Sequence, residues 1–491
     1  MNQPSTSPGR HMMTGTISIF LAEALILPTG FITAVFLARR LGPVGYGLFA
    51  VVSRLVIWLE FSSTAGFANT TIKFVGEASD WRPVGVTAVR LHLIVGVGIG
   101  ALLWLLSPPI SSMFNEPAMA EYLKLFAIDI PIFSLACANS SILVGRGLFK
   151  ERARISAARW IARLVLIVLF VEMGLSVKGA IMGSIGASII ELVFGWYYVR
   201  PSLFYRATFP IRRLWGFGAP LFMSALSLRI FRLDLFALKV LGGTAAQAGF
   251  YGAALNLSIP PDIFSMSLSP PLLTTLNGLL SDGNEPKAKE IGMTAMRSIF
   301  WLLPFAAMTA GAAHEIVSFI FGEKYLPTSP ILALLIFAAM GLLAINISRA
   351  ILTALGKPGW TFILAGPMVP LALVGHLILV PWLGGVGAAV VTTLVALLGA
   401  IASLFAVYRI WRIFPPVKSL LRSVFCSGIA LALAILWPVS GLMLILKLLI
   451  IIVVILLSFF LIGEFTAGEF ALFRSMLRKR RGQGQSVGKV Q

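Results

Sequence analysis

Three arginines lie within long apolar segments of the sequence, where an ionised side chain is costly. Arg229 and Arg232 are three residues apart in one segment, so they share a face if that segment is helical. Two guanidinium groups placed in this way can hold a phosphate through several charge-assisted hydrogen bonds. Arg54 lies well inside another apolar segment. The sequence therefore predicts that Arg54, Arg229 and Arg232 bind a phosphate-bearing substrate.

Other interpretations of the arginines remain open. The segment that holds Arg229 and Arg232 ends near residue 236, so both side chains could instead extend to the outer membrane interface. Arg54 could instead form an ion pair with an acid on another helix. A fourth arginine, Arg349, lies near the predicted cytoplasmic end of its segment, where extension to the interface is an equally good account.

The first apolar segment contains an acid, Glu23, five residues before Pro28. A proline inside a helix frees a backbone carbonyl and can bend the helix. Glu23 is therefore a candidate for coupling the binding of a proton or cation to a conformational change. The competing account is that Glu23 only neutralises a buried arginine such as Arg54, and the two accounts have equal standing.

The sequence lacks the patterns that are typical of nucleotide-hydrolysing and metal-dependent enzyme sites. The sequence has no P-loop pattern, and the pair His314-Glu315 lacks the second histidine that a zincin site needs. Cys137 and Cys426 both lie within apolar stretches, which argues against a disulfide framework and a cysteine metal site. We therefore expect no catalytic residue, no cofactor and no metal site in a protein that is not an enzyme.

The composition is that of a membrane protein. The 491 residues are 58% hydrophobic and 12% charged, and the mean hydropathy of +0.93 is too high for a soluble domain with a hydrated surface. In a soluble protein the net charge of +20 would suggest a nucleic-acid partner. Here most basic residues fall in short segments between apolar stretches, so membrane topology explains them and no nucleic acid is expected.

Fourteen segments are long and apolar enough to cross a bilayer, which needs about 20 residues each. The fold class predicted is therefore an all-α polytopic membrane protein. The segments are 17–37, 47–67, 86–106, 122–144, 155–173, 179–199, 214–236, 249–276, 291–313, 331–355, 360–380, 384–407, 420–437 and 442–462.

The distribution of basic residues orients these segments. With the N-terminus inside, cytoplasmic parts collect 28 of the 39 Lys and Arg residues, outer parts seven, and membrane spans four. The cytoplasmic set includes Arg152, Arg159 and Arg163 after the fourth span. This asymmetry predicts that both termini are cytoplasmic. The polar lead before the first span has no cleavage site of a signal peptide, so we expect that span to be retained.

An internal repeat relates the two halves of the sequence. Leu41-Gly42-Pro43 recurs as Leu241-Gly242-Gly243 at an offset of 200 residues, and Gly47-Leu48-Phe49-Ala50 recurs as Gly249-Phe250-Tyr251-Gly252 at an offset of 202. Weaker echoes pair Gly145 with Gly356 and Gly179 with Gly385. Each repeat holds six spans, an even number, so the two repeats are parallel.

The repeat predicts the organisation of the chain. Residues 1–13 form a cytoplasmic lead, 14–213 and 214–419 form two six-helix lobes, and 420–463 add two C-terminal transmembrane helices. Residues 464–491 form a basic tail, in which Thr466-Ala467-Gly468-Glu469 has the spacing of a capping box for an amphipathic helix. Such a helix is expected to bind anionic lipid at the membrane surface.

Several loop sequences resemble one family. The sequence from Leu37 to Gly47, LARRLGPVGYG, is similar to the first outer loop of the polysaccharide, or oligosaccharide-lipid, flippases. This family belongs to the multidrug/oligosaccharidyl-lipid/polysaccharide exporter superfamily. Further segments carry the resemblance, which covers roughly residues 14–473: Asp234, Leu241-Gly242, Gly249-Phe250-Tyr251, the stretch FGEKYLP from Phe321 to Pro327 and the stretch ALGKP from Ala354 to Pro358.

The resemblance implies two six-helix bundles, alternating access and export of an undecaprenyl-pyrophosphate-linked glycan across the inner, or plasma, membrane. The expected substrate is an exopolysaccharide or O-antigen repeat unit, and other polysaccharide-assembly proteins are possible partners. A drug/cation antiporter of the same superfamily is the nearest alternative, but fourteen spans and the intramembrane arginines favour an anionic lipid. A membrane-bound glycan polymerase or ligase is a further alternative, which the short outer loops disfavour.

Overall fold

The computed structural model describes residues 21–200, 209–216, 218–219, 234–357, 359–414 and 416–464. All regular secondary structure in these residues is helical. The helices are α1 (Ile26–Glu77), α2 (Arg82–Met113), α3 (Ala118–Ala127), α4 (Asp129–Gly145), α5 (Phe149–Phe170), α6 (Ser176–Val199), α7 (Asp234–Val240), α8 (Ala245–Leu257), α9 (Pro260–Ser281), α10 (Glu285–Gly311), α11 (Ala313–Phe321), α12 (Thr328–Ala354), α13 (Gly359–Ala365), α14 (Met368–Trp411), α15 (Val417–Leu436) and α16 (Met443–Leu461).

The helix lengths confirm an all-α polytopic membrane protein with about fourteen crossings. Within the described residues, nine helices are long and apolar enough to cross a membrane. Three of them, Leu21–Glu77, Phe149–Val199 and Ile363–Trp411, contain 49 to 57 residues, enough for two crossings each. Helices α8 and α9 together occupy the predicted eighth span. The predicted seventh span lies mostly outside the described residues.

The chain divides into two compact units. Unit 1 consists of Met1–Asn256, Phe321–Ile331 and Met368–Thr392, and unit 2 consists of Leu257–Ile320, Leu332–Pro367 and Thr393–Gln491. The predicted lobes at 14–213 and 214–419 stay a prediction. The cytoplasmic lead at 1–13 and the amphipathic helix of the basic tail lie outside the described residues, so they also stay predictions.

The backbone repeats its shape where the sequence repeats. Gly42 breaks α1 with a φ of 67°, and Gly242 follows α7 with a φ of 94°. Both angles lie in the left-handed region that glycine adopts at little cost, which explains why a glycine stands at both positions. The 200-residue offset between these turns therefore corresponds to a repeated conformation.

The two weaker sequence echoes are each wrong by two residues. The turn that matches Gly356, with a φ of 71°, is Gly147, with a φ of 74°, rather than Gly145. Ser176 and Gly384 also share an unusual conformation, with φ and ψ of 51° and −131° in one and 55° and −130° in the other. This match pairs Gly179 with residue 387 rather than with Gly385. The second echo was misplaced because a serine, Ser176, holds in the first half the turn that a glycine, Gly384, holds in the second half.

In unit 2, the two C-terminal spans pack against α10. A side chain at Gly311 of α10 would meet the Cβ of Ala434 of α15 at 2.7 Å, so the helices approach closely. An apolar cluster from α10, α15 and α16 fills the interface: Met308, Cys426, Ala430, Ile451 and Ile455. Two buried ion pairs, Lys447–Glu315 at 2.7 Å and Arg297–Glu464 at 2.7 Å, tie α16 to the same unit at its two ends.

Candidate functional site

Helices α1 and α8 of unit 1 cross at a pair of repeat-related glycines. A Cβ on Gly47 would overlap the carbonyl oxygen of Ala245, and a Cβ on Gly249 would overlap that of Pro43. Because Pro43 and Ala245 are also 202 residues apart, each contact is the repeat image of the other. The helices can approach this closely only because both crossing positions lack a side chain.

Arg54 lies two turns along α1 from this crossing, among polar side chains. It is partly buried and close enough to the phenol groups of Tyr46 and Tyr251 to interact with them electrostatically. The amide of Asn256, the repeat counterpart of Arg54, donates a hydrogen bond to the Tyr46 hydroxyl at 2.9 Å. Among the described residues, Arg54 has no hydrogen bond or ion pair.

A second set of hydrogen bonds surrounds Tyr251. Its hydroxyl donates to Oδ2 of Asp234 at 2.7 Å and lies 3.2 Å from the hydroxyl of Thr392. Oδ1 of Asp234 accepts a hydrogen bond from the backbone of Leu235 at 3.0 Å, at the start of α7. The sequence-predicted residues Arg229 and Arg232 lie outside the described residues, so their binding role stays a prediction.

Glu23 is held by side chains of α5. Its carboxylate accepts hydrogen bonds from Arg152 at 2.9 Å, from Ser156 at 2.7 Å and from the indole of Trp160 at 3.4 Å. The arginine beside Glu23 is therefore Arg152, and not Arg54 as the neutralisation hypothesis suggested. Three donors from one helix therefore hold the Glu23 carboxylate in a fixed position.

Helix α5 carries a row of polar side chains on one face. Arg152, Ser156, Arg159 and Arg163 are spaced by four, three and four residues, which places them on a single stripe. Arg159 pairs with Glu191 of α6 at 3.1 Å, and the same carboxylate lies 3.9 Å from Arg152.

The assignment of Arg159 and Arg163 to a cytoplasmic segment is wrong. They lie about three and four turns inside α5. Aromatic rings pack on them: Arg159 lies over Phe133 at 4.7 Å and Arg163 over Trp160 at 5.9 Å. Acids on neighbouring helices compensate their charge, which sequence-based counting of basic residues does not detect. The helical spacing of the arginines was the signal that could have found them.

Two further acids meet beside these arginines. Glu60 of α1 and Asp129 of α4 are both buried, and both interact electrostatically with Arg159 and Arg163. Their exposed fractions are 6% and 3%. Oδ1 of Asp129 has no hydrogen-bond donor among the described residues. Nothing in the sequence spacing of these acids indicated that they would lie together.

The family model described as polysaccharide biosynthesis protein matches residues 36–330 of this chain, which is more than half of its length. The chain belongs to the polysaccharide biosynthesis protein family. The matched range contains Arg54, Arg229 and Arg232, together with the row of arginines on α5.

Two curated relatives are similar to this chain over most of their lengths. The succinoglycan biosynthesis transport protein ExoT of Rhizobium meliloti is 24% identical over 403 residues, which cover 77% of this chain and 70% of that protein. An uncharacterized membrane protein of Methanocaldococcus jannaschii is 24% identical over 409 residues, which cover 77% and 79% respectively.

Solved structures with the same fold include two kinds of transporter. The lipid II flippase MurJ in an inward closed conformation superposes with a TM-score of 0.72 at 15% identity, covering 95% of this chain and all of that chain. An inward-facing multidrug resistance MATE family transporter of the MOP superfamily superposes with a TM-score of 0.66 at 16% identity, covering 83% and 95%. At these identities the comparison establishes a shared fold.

Proposed function

We propose that this polysaccharide biosynthesis protein is a flippase that moves a lipid-linked oligosaccharide from the inner to the outer leaflet of the inner, or plasma, membrane by alternating access. The observation that carries the proposal is Arg54, an intramembrane guanidinium with no ion-pair partner among the described residues. An arginine in that position is costly unless an anion compensates it. The phosphate groups of a lipid carrier such as undecaprenyl pyrophosphate are anions of that kind.

The surroundings of Arg54 suit the rest of such a head group. Tyr46, Tyr251 and Asn256 offer hydroxyl and amide groups, which hydrogen-bond to sugar hydroxyls as well as to phosphate oxygens. Arg229 and Arg232 are proposed to add a second phosphate contact. Outward movement of an anion from a negative interior is favoured by about 2.3 kcal/mol per charge per 100 mV, so the membrane potential can assist the export.

The names of similar proteins agree with this substrate class. ExoT is named as a transport protein of succinoglycan biosynthesis, and MurJ is named as a lipid II flippase. We propose a repeat unit of an exopolysaccharide or O-antigen as the glycan. A drug/cation antiporter is the second candidate, because a MATE family transporter has the same fold as this chain.

Flipping can be measured with purified protein in liposomes that contain a fluorescent oligosaccharide linked to undecaprenyl pyrophosphate. We expect Arg54→Gln to slow flipping about tenfold or more, because a charge-assisted hydrogen bond to phosphate is lost. Arg54→Lys should retain part of the activity. Arg200→Gln, at the exposed end of α6, is the matched control and should behave as the wild type.

The same assay discriminates between the candidates. If the wild-type protein flips no glycan lipid but exchanges a cationic drug for protons or sodium, the antiporter is correct. In cells, we expect Arg54→Ala and Arg229→Ala each to abolish glycan export while the protein level stays normal. Wild-type export by both variants would remove these residues from the proposed binding site.

A further inference from the structure

Unit 2 holds an intramembrane cation of its own, Arg349. It lies in α12, five residues before that helix ends at Ala354. The side chain is partly buried, and its Nε is buried without a hydrogen-bond acceptor among the described residues. An ionised arginine within a membrane span is costly unless another group compensates its charge, so the position calls for a physical account.

The guanidinium of Arg349 is directed away from the cytoplasmic interface. The predicted topology runs α12 from the outer side to the cytoplasmic side, and side chains on a helix tilt toward its N-terminal end. Arg349 follows this tilt, since Nη1 donates a hydrogen bond to Oδ1 of Asn346, one turn nearer the N-terminal end, at 3.2 Å. Extension to the interface, which the sequence left open, is therefore not what the side chain does.

Asn346, Arg349 and Thr353 form a polar face of α12. Their spacing of three and four residues places them on one side of the helix. Asn346 and Arg349 are partly accessible and Thr353 is exposed, whereas the adjacent Ile347 and Ser348 are fully buried. Contact with lipid would leave the amide and the guanidinium without hydrogen-bond partners in hydrocarbon. This face is therefore expected to line a water-accessible space.

The chain does not supply a counter-charge to Arg349. All 19 acids of the sequence except Glu469 lie in the described residues, and none of these forms an ion pair with Arg349. The fully buried cation of the same unit, Lys447, pairs by contrast with Glu315 at 2.7 Å. An anion from outside the chain can supply the counter-charge that Arg349 lacks.

The first repeat shows that the fold does not require an arginine at this position. The matching turns at Gly147 and Gly356 are 209 residues apart, which makes Ser140 the counterpart of Arg349. Ser140 is buried, and its hydroxyl donates to Glu191 at 3.3 Å. A small side chain thus occupies the equivalent position, so packing of the repeat does not explain an arginine in α12.

We propose that Arg349 and Asn346 form a phosphate-binding subsite in unit 2 that receives the glycan lipid on the cytoplasmic side. The guanidinium donates charge-assisted hydrogen bonds to phosphate oxygens, while the amide oxygen of Asn346 holds the guanidinium in place. The role in transport rests on the proposed flippase function. The predicted topology puts Arg349 toward the cytoplasmic side of its span and Arg54 toward the outer side of its own, so the two arginines serve successive stages of export.

Binding of undecaprenyl pyrophosphate to the purified full-length protein in detergent tests the subsite. In an Arg54→Gln background, we expect Arg349→Gln to weaken binding about tenfold or more, because charge-assisted hydrogen bonds to phosphate are lost. Arg349→Lys should retain part of the affinity. The matched control is Arg409→Gln, which removes an exposed arginine at the end of α14 and should bind as the background does.

Asn346→Asp separates phosphate binding from folding. Its carboxylate would neutralise Arg349 from within the chain, so the variant should unfold at the wild-type temperature or above. A bound phosphate would meet that carboxylate as a like charge, and we expect about tenfold weaker binding. Wild-type affinity in both Arg349→Gln and Asn346→Asp would overturn the subsite. A folding defect in Arg349→Gln leaves Asn346→Asp as the test.

Competition with phosphatidylglycerol identifies the source of the phosphate. A pyrophosphate offers more charge and more acceptor oxygens than the single phosphodiester of a phospholipid, so excess phosphatidylglycerol should not displace undecaprenyl pyrophosphate. Displacement would overturn the assignment to the glycan carrier and favour a phospholipid site.

The transport role is tested with the liposome assay. Arg349→Gln should raise the concentration of glycan lipid needed for half-maximal flipping, because loading is weakened. If wild type and variant flip equally at every concentration, the transport role of the subsite is refuted while the flippase function stands. If the wild type does not flip at all, the proposed function fails, and the binding measurement still decides whether the phosphate subsite exists.

Discussion

Glu23 illustrates how the partner of a charged residue decides its role. The side chain of Glu23 is 41% exposed and that of Arg152 is 18% exposed, so water screens part of their attraction. A pair of this kind contributes little to stability. Its main effect is to fix the two side chains in place, together with Ser156 and Trp160. Three donors from α5 thus hold the carboxylate of Glu23 in one position.

We therefore expect Glu23→Gln to retain most of the wild-type flipping activity. The free energy of unfolding should fall by about 1 kcal/mol or less, because the pair is partly exposed. Thermal unfolding in detergent and the liposome assay measure the two effects. The Arg152→Gln variant and the double variant complete a double-mutant cycle. Loss of flipping in a folded Glu23→Gln variant would instead favour Glu23 as the coupling acid.

The crossing of α1 and α8 determines how the two repeats pack within unit 1. Gly47 and Gly249 bring each helix against a backbone carbonyl of the other, and a backbone atom cannot move aside as a side chain can. The Tyr325 hydroxyl donates to the carbonyl of Ala38 at 3.1 Å, and Lys239 pairs with Glu116 at 2.9 Å. These contacts lie toward the predicted outer ends of the helices.

Replacing Gly249 with alanine should separate the two helices, because its Cβ would overlap the carbonyl oxygen of Pro43. We expect Gly249→Ala and Gly47→Ala each to lower glycan flipping about tenfold or more, since a misplacement of about 1 Å can cost a hundredfold in a site that depends on geometry. Flipping by the purified variants is the measurement.

The control is Gly98→Ala in α2, where an added Cβ would meet no atom within 4 Å. This substitution removes a helix-destabilising glycine and should be neutral or slightly stabilising. Wild-type flipping by both Gly47→Ala and Gly249→Ala would show that the close crossing is not needed for transport.

The distribution of charge over the whole molecule indicates its orientation in the membrane. Reassigning Arg159 and Arg163 to α5 leaves 26 basic residues in cytoplasmic parts against seven in outer parts. The asymmetry is still more than three to one, so the predicted orientation is unchanged. The corrected count also separates two kinds of basic residue, those that set topology from loops and those that balance buried acids.

Thiol labelling can test the orientation. In a background without Cys137 and Cys426, Glu121→Cys near the start of α3 should react with a membrane-impermeant maleimide on intact cells. Lys150→Cys near the start of α5 should react only after permeabilisation. Both native side chains are exposed, so accessibility to the reagent is not limited by packing. The reverse labelling pattern would refute cytoplasmic termini.

Local features of the fold could be predicted because their causes are local. The apolar spans are visible in composition, since each must bury about 20 residues in lipid. The glycine turns at Gly42 and Gly242 are visible in the repeat because a left-handed backbone favours glycine wherever it occurs. The turn at Ser176 was missed because the same backbone shape there is held by a serine.

Multiple membrane spans, a repeat between the two halves and arginines within apolar segments could all be predicted from the sequence, because each is encoded in local composition and spacing. Which charges lie close together became visible in the folded chain alone. Glu60, Asp129 and Arg159 come from three separate helices, so nothing in their local spacing brings them together. Whether a buried acid is paired or hydrogen-bonded depends on atoms within a few ångströms in space, and those atoms lie far away along the chain.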